Sequence, residues 1–259
     1  MSALLLKRHF SDVELITDDV GMEILIEKME LPYANSGLFV SVPDFSPKLG
    51  FIAKAVAIQS QKEPFIYVEH SNLLFQPDSE FFNKEVLVQR TQFHSNKIAQ
   101  ELLGLVKLHF KNIGFLNETN YDDGFYGFNL GILGGTNSGV LRKFSHYLIQ
   151  MVKDNAELIN KHIEYLHADY ELCLSIIFEQ LLFKLFMQNE NVVPETFEKN
   201  EQQSLLDNLY HFPDLVTSVQ LSRDTKQNLE GAERLAFILR RHYPEFYFRI
   251  LKLIKCGAI

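Results

Sequence analysis

The chain has 259 residues, of which 46% are hydrophobic and 22% charged, and carries a formal net charge of −8. Such a chain can bury a large core, as one large α/β domain or two small ones. The acidic excess excludes sequence-independent nucleic-acid binding as the main activity, because that needs clustered Lys and Arg to displace counterions.

The opening MSALLLKRHFSD holds an apolar run too short for a signal-peptide core. No stretch reaches the roughly 20 apolar residues of a membrane span, so a cytoplasmic location is expected. Residues 13–19 (VELITDD) then read as a short buried strand ending in a Thr-Asp-Asp turn. MEILIEKMEL fits a short helix stopped by Pro32, and SGLFVSVP a strand ending at Pro43. Residues 49–61 (LGFIAKAVAIQSQ) have helical spacing, and FIYVE follows as a fully buried strand. This strand–helix alternation predicts a mostly parallel sheet covered on both faces.

Further along, EVLVQR is strand-like and residues 98–110 form an amphipathic helical pattern. NETNYDDGFYG is a loop by composition. FNLGILGGTNSG reads as a glycine-rich turn from strand to helix, or as a ligand cradle. GVLRKFSHYLIQMVKDNAELINKHIEYL is helical by periodicity, and DYELCLSIIFEQLLFKLFMQN predicts one long helix, apolar almost all round and therefore buried. Cys173 lies in that pattern and is expected in the core. It is too far from Cys256 for metal-ligand spacing, and no disulfide framework is implied. NVVPETF predicts a short strand, and the tail two helices divided near Pro244. Its FYFRILKLI segment either packs on its own domain or forms the face of a homodimer.

Three motifs carry chemical possibilities. Glu69-His70-Ser71-Asn72 follows a strand, where parallel α/β sheets bind ligands and where a carboxylate often holds a divalent cation; the alternative is a solvated loop. Asn129 with Gly131, Gly134, Gly135 and Gly139 leaves backbone N–H groups open to a ligand, and Thr136-Asn137-Ser138 resembles a capped helix start. Glu179 and Gln180 interrupt an apolar helix, and a carboxylate there needs a partner or a cleft. No P-loop, HExxH, GxSxG or Cys–His signature occurs. His70, His94, His109, His146 and His211 are scattered and read as surface or packing residues.

In order, VELITDDVG, FIAKAVAIQSQKEPFIYVEHSNLLFQP, FNLGILGG, FEQLLF, LSRDTKQN and RRHYPEFYFRI resemble an uncharacterised bacterial family related to the GT-A glycosyltransferases, over residues 10–250. The resemblance implies a single domain over 1–259 built on a GT-A-like, Rossmann-type mixed sheet flanked by helices. It further implies a donor-side half over 1–125, an acceptor-side half over 126–215 and a helical region over 216–259. The ligand would be a nucleotide-diphospho-sugar. The acceptor would be a carbohydrate, lipid or peptide, and the cation Mn or Mg.

Residue by residue, the resemblance puts Lys54 and Lys226 at phosphate-neutralising positions. It puts Asn129, Gly131, Gly134, Gly135 and Gln180 on the acceptor side, and Glu179 at a catalytic position. The family's Asp-x-Asp reads Glu69-His70-Ser71 here, and its late His segment has Gln220 at the His and Arg223 at a Gly. The chain also begins after the family's usual first strand. Glu69 is then the one remaining metal ligand, and Arg223 can replace a cation by binding phosphate bidentately. Two functions are implied: a glycosyltransferase using Lys54, Arg223 and Lys226 without a well-formed metal site, in a cleft with Glu69 and Asn129, or a catalytically silent relative that binds a glycan or a protein.

Overall fold

In a computed structural model, residues 1–38, 49–75, 77, 80, 83–118, 123–163, 168–198, 218–221 and 229–259 are described. They fall into two compact units, one made of Met1–Val40, Glu69–Asp78 and Asn200–Ile259, the other of Ser41–Val68 and Ser79–Lys199. Both mix α and β structure, with a mixed sheet and helices in the second and a helical C-terminus in the first.

The second unit is organised by β6 (Phe125–Gly135), an eleven-residue strand whose residues are nearly all buried. It lies between β3 (Phe65–Val68) and β5 (Leu87–His94), antiparallel to both, and β7 (Glu195–Thr196) adds to β5 in parallel. The β5–β6 register shifts between Val88 and Arg90. Helix α3 (Gly50–Ser60) buries Phe51, Ile52, Ala55 and Ile58 and packs on α5 (Ser138–Asp154). Asn137 starts α5 by accepting from the Val140 N–H at 3.1 Å. Asn96 likewise caps α4 (Lys97–His109), accepting from the Ile98 N–H at 2.8 Å. Ala99, Leu102, Leu103 and Val106 then form its buried stripe.

Three expectations differ here. The sheet is mainly antiparallel, because the alternating elements do not share one sheet: β1 (Glu14–Thr17) and β2 (Asn35–Leu38) pair with each other in parallel, apart from β3. β3 is half-buried along its length rather than fully buried. The helix expected from residue 139 onward ends at Asp154, and α6 (Ala156–Ile163) starts afresh. Asn155 sits buried at the break, where its side chain accepts from the Lys111 N–H at 2.7 Å and donates to the Lys111 and Met151 carbonyls. Those bonds compete with helix continuation.

The expected long apolar helix is present as α7 (Ala168–Ser175), a π-helical turn (Ile176–Leu181) and α8 (Leu182–Asn189). Its Leu172–Asn189 stretch is apolar and long enough to cross a membrane, but 61% of it is buried inside the protein, as befits a core helix. Cys173 is buried there.

In the first unit, α1 (Ser2–His9) is a helix that the sequence reading passed over. Leu5 packs with Leu73 and Phe75 beside β4 (Asn72–Leu74), which pairs antiparallel with β8 (Ser218–Gln220). Residues 19–28 form a turn of α-helix, α2 (Asp19–Gly21), running into a π-helical segment (Met22–Lys28). The tail forms α9 (Leu229–His242) and α10 (Pro244–Lys255), with Pro244 at the first position of α10, where its missing N–H leaves no bond unmade.

Candidate functional site

A buried polar cluster in the second unit holds several of the residues that the sequence singled out. Lys54 on α3 and Glu179 on the π-helical turn form an ion pair, with side chains only 5% and 9% exposed. The Lys54 Nζ also donates to the Leu130 carbonyl at 3.2 Å and lies 5.4 Å from the centre of the Tyr67 ring. The Ser175 hydroxyl donates to the other Glu179 oxygen at 3.0 Å. Taking both charges out of water is expensive, and the ion pair with its added hydrogen bonds offsets that cost.

The π-helical turn explains how two polar side chains sit in an apolar helix. An extra residue per turn widens the helix locally and re-aims the following side chains, and such turns recur at functional sites. Gln180 uses this turn to meet His94 at the end of β5, with 2.9 Å between the Gln180 Oε1 and the His94 Nε2. The amide oxygen can only accept, so the ring carries its proton on Nε2. Burial lowers the His94 pKa, and the Gln180 bond opposes that shift without cancelling it.

Asn129, buried on β6, accepts from the Gly131 N–H at 2.9 Å and reaches Gln92 at 3.4 Å. The glycines near it have neighbours from the protein itself. A Cβ on Gly134 would stand 2.1 Å from the Phe65 carbonyl oxygen. One on Gly135, whose φ is +128°, would stand 2.5 Å from that of Glu85, and one on Gly127 2.9 Å from Gln180. FNLGILGG is therefore strand rather than turn, and its bare backbone lets adjacent segments approach closely. Beside it, Arg90 pairs with Glu198 at 3.2 Å and the buried Gln89 donates to the same carboxylate at 2.9 Å.

Sequence reasoning found Lys54, Glu179, Gln180 and Asn129 but not that the first two are partners. It missed Ser175, Gln92, Arg90 and Glu198, and it read His94 as a surface or packing residue, which agrees with its burial but did not foresee its bond to Gln180. The i, i+4 spacing of Ser175 and Glu179 was a usable signal. The His94–Gln180 pairing joins residues 86 apart in sequence and left none.

Glu69, Ser71 and Gln220 belong to the first unit. Glu69-His70-Ser71-Asn72 is a tight turn, closed by the Asn72 N–H on the Glu69 carbonyl at 2.8 Å, and it leads into β4. The Ser71 hydroxyl lies 3.4 Å from the Glu69 carboxylate, and Gln220 stands opposite Asn72 across the β4–β8 pair. Arg223 and Lys226 lie outside the described residues. Glu69, Ser71 and Gln220 supply one carboxylate between them, which does not fit the multiple hard, anionic oxygens that hold a divalent cation. Among the described residues, no group of three or more His, Cys, Asp or Glu side chains is placed to bind a metal.

No curated protein and no solved structure matches the chain. The model of a family of unknown function, DUF6734, matches residues 1–253, and the chain belongs to that family.

Proposed function

We propose that the protein is glycosyltransferase-like and binds a nucleotide-diphospho-sugar without a divalent cation in its donor site. The observation that carries this reading is the Lys54–Glu179 ion pair, buried and braced by Ser175 and the Leu130 carbonyl on a π-helical turn. Apolar side chains of similar size would fill the same core without the desolvation cost, so the pair is a costly feature for packing alone. The resemblance to GT-A-related proteins assigns its first Lys to Lys54 and its Glu-Gln pair to Glu179 and Gln180.

In this reading, Arg223 and Lys226 bind the diphosphate and stabilise the negative charge that grows on it as the bond to the anomeric carbon breaks. Glu179 positions the acceptor hydroxyl or takes its proton, while Lys54 and Ser175 hold the carboxylate in place. Asn129 and Gln180 line the acceptor side. The sugar passes to the acceptor oxygen, and the nucleoside diphosphate leaves.

A second reading, a silent relative that binds a glycan or a protein, is favoured by one observation: the Lys54 charge is already neutralised by Glu179. Thermal-shift titration with nucleoside diphosphates, with and without manganese, separates the two. Ligands that bind the folded state raise the melting temperature by mass action. A rise without manganese supports the metal-free transferase; no rise with any nucleotide supports the silent relative.

A further inference from the structure

The C-terminal helix α10 has two faces of different character. One is tied into the first unit. The Arg249 guanidinium donates to the Met29 carbonyl at 2.7 Å, pairs with Glu30 at 3.0 Å and lies over the Phe246 ring. Lys28 holds the end of the chain through the Ala258 carbonyl at 2.8 Å. These bonds fix the rotation of the helix about its axis.

That rotation turns the opposite face to solvent. Phe248 is 56% exposed, Leu251 43% and Ile254 56%. Lys252 and Lys255 are exposed beside them. At 100° per residue, Phe248, Leu251, Lys252 and Lys255 fall on one side, with exposed Glu245 at one edge and Ile254 at the other. Leaving three large apolar side chains in water on one short helix is unusual unless the face has an occupant.

Charge selects among occupants. The chain as a whole carries −8, yet residues 229–259 contain six Arg or Lys against three Glu. On α10 itself, Lys252 and Lys255 outnumber Glu245, its one carboxylate, so the helix presents a net positive charge beside the apolar side chains. An anionic lipid surface complements the lysines and also accepts the apolar side chains between them.

We infer that α10 is a docking face for an anionic membrane surface, with Phe248, Leu251 and Ile254 entering the headgroup–acyl boundary and Lys252 and Lys255 meeting lipid phosphates. Binding of this kind is peripheral and reversible. It is independent of the nucleotide-sugar reading, because no residue of the Lys54–Glu179 cluster takes part.

The test is co-sedimentation of the full chain with vesicles of phosphatidylcholine alone and of phosphatidylcholine with phosphatidylserine. Binding is expected to the mixed vesicles, to fall with added salt and to be weak on the neutral ones. Each of Lys252→Ala and Lys255→Ala should lower partitioning about fivefold. The pair Phe248→Ser with Leu251→Ser should lower it about tenfold or more. These positions are exposed, and unchanged circular dichroism would show that the variants fold. Equal binding to both vesicle types, or no effect of these substitutions, would overturn the inference. So would a dimer seen in analytical ultracentrifugation and lost in the Phe248→Ser, Leu251→Ser variant, since it would assign the face to a second copy.

Discussion

Lys54 and Glu179 are a pair in which each side chain makes the other tolerable. Either charge alone would be buried without its counterion, which typically costs about 3–5 kcal/mol. Lys54→Met and Glu179→Leu should therefore each lower stability by about that amount in urea unfolding. The double variant should recover much of the loss, because two apolar groups need no counterion. A double variant as unstable as the sum of the singles would show that the two residues do not act as a pair.

His94 gives a pH-dependent signature. Its folded pKa lies below the ordinary 6.5 because burial penalises the imidazolium. Below about pH 6.5 the unfolded chain therefore binds more protons than the folded one. Stability is full above that pH and declines as pH falls, until the folded-state ring also protonates. His242 contributes in the same direction, from burial and from the charges of Arg241 and Arg8. His94→Gln keeps a side chain able to donate to Gln180 but cannot titrate. Its urea midpoint should fall less than that of the unmodified protein between pH 7 and pH 5, with His242→Ala as the companion variant. An identical slope in the His94 variant would remove that residue from the acid response.

At the scale of elements, β6 depends on what its glycines lack. A methyl group on Gly134 would collide with the backbone of β3, and no side-chain rotation relieves a contact with a carbonyl oxygen. Gly134→Ala should cost about 1–3 kcal/mol. Gly104 is exposed in the interior of α4, where an added methyl group would meet nothing within 4 Å, and Gly104→Ala should stabilise by about 0.5–1 kcal/mol. Thermal melts of the two variants should move in opposite directions; a neutral Gly134→Ala would mean that β3 and β6 do not approach as closely as described.

The same strand shows what the sequence could convey. Helices with one apolar stripe, such as α4, and those bounded by Asn137 or Pro244, were legible because caps and periodicity are local. Strand existence was legible for β3, β5 and β7. Strand pairing was not, since which strands meet is settled by contacts between distant segments, and β3 pairs with residues 132–135 rather than with an earlier strand. The strand β4, three residues long, and its partner β8 were too brief to show alternation. The π-helical turn was hidden because Glu179 and Gln180 are flanked on both sides by the apolar run of an ordinary buried helix, which does not show one extra residue in a turn. In the site, residue types were readable and partnerships were not. Glu179 announced that it needed a partner, whereas nothing marked Lys54, 125 residues earlier, as that partner.

For the whole molecule, membership of a family of unknown function leaves activity to be argued from side chains. The proposed ligand is a nucleotide-diphospho-sugar, and it is proposed to bind without a metal because Glu69, Ser71 and Gln220 supply one carboxylate between them. The most direct test is titration calorimetry of nucleoside diphosphates into the protein in the presence of a metal chelator, repeated with Arg223→Ala. The account predicts saturable binding by the unmodified chain without metal, and affinity weakened about tenfold or more in the variant, as expected when a charge-assisted phosphate contact is removed. Heat signals absent for every nucleotide, or affinity unchanged by the Arg223 substitution, would contradict it.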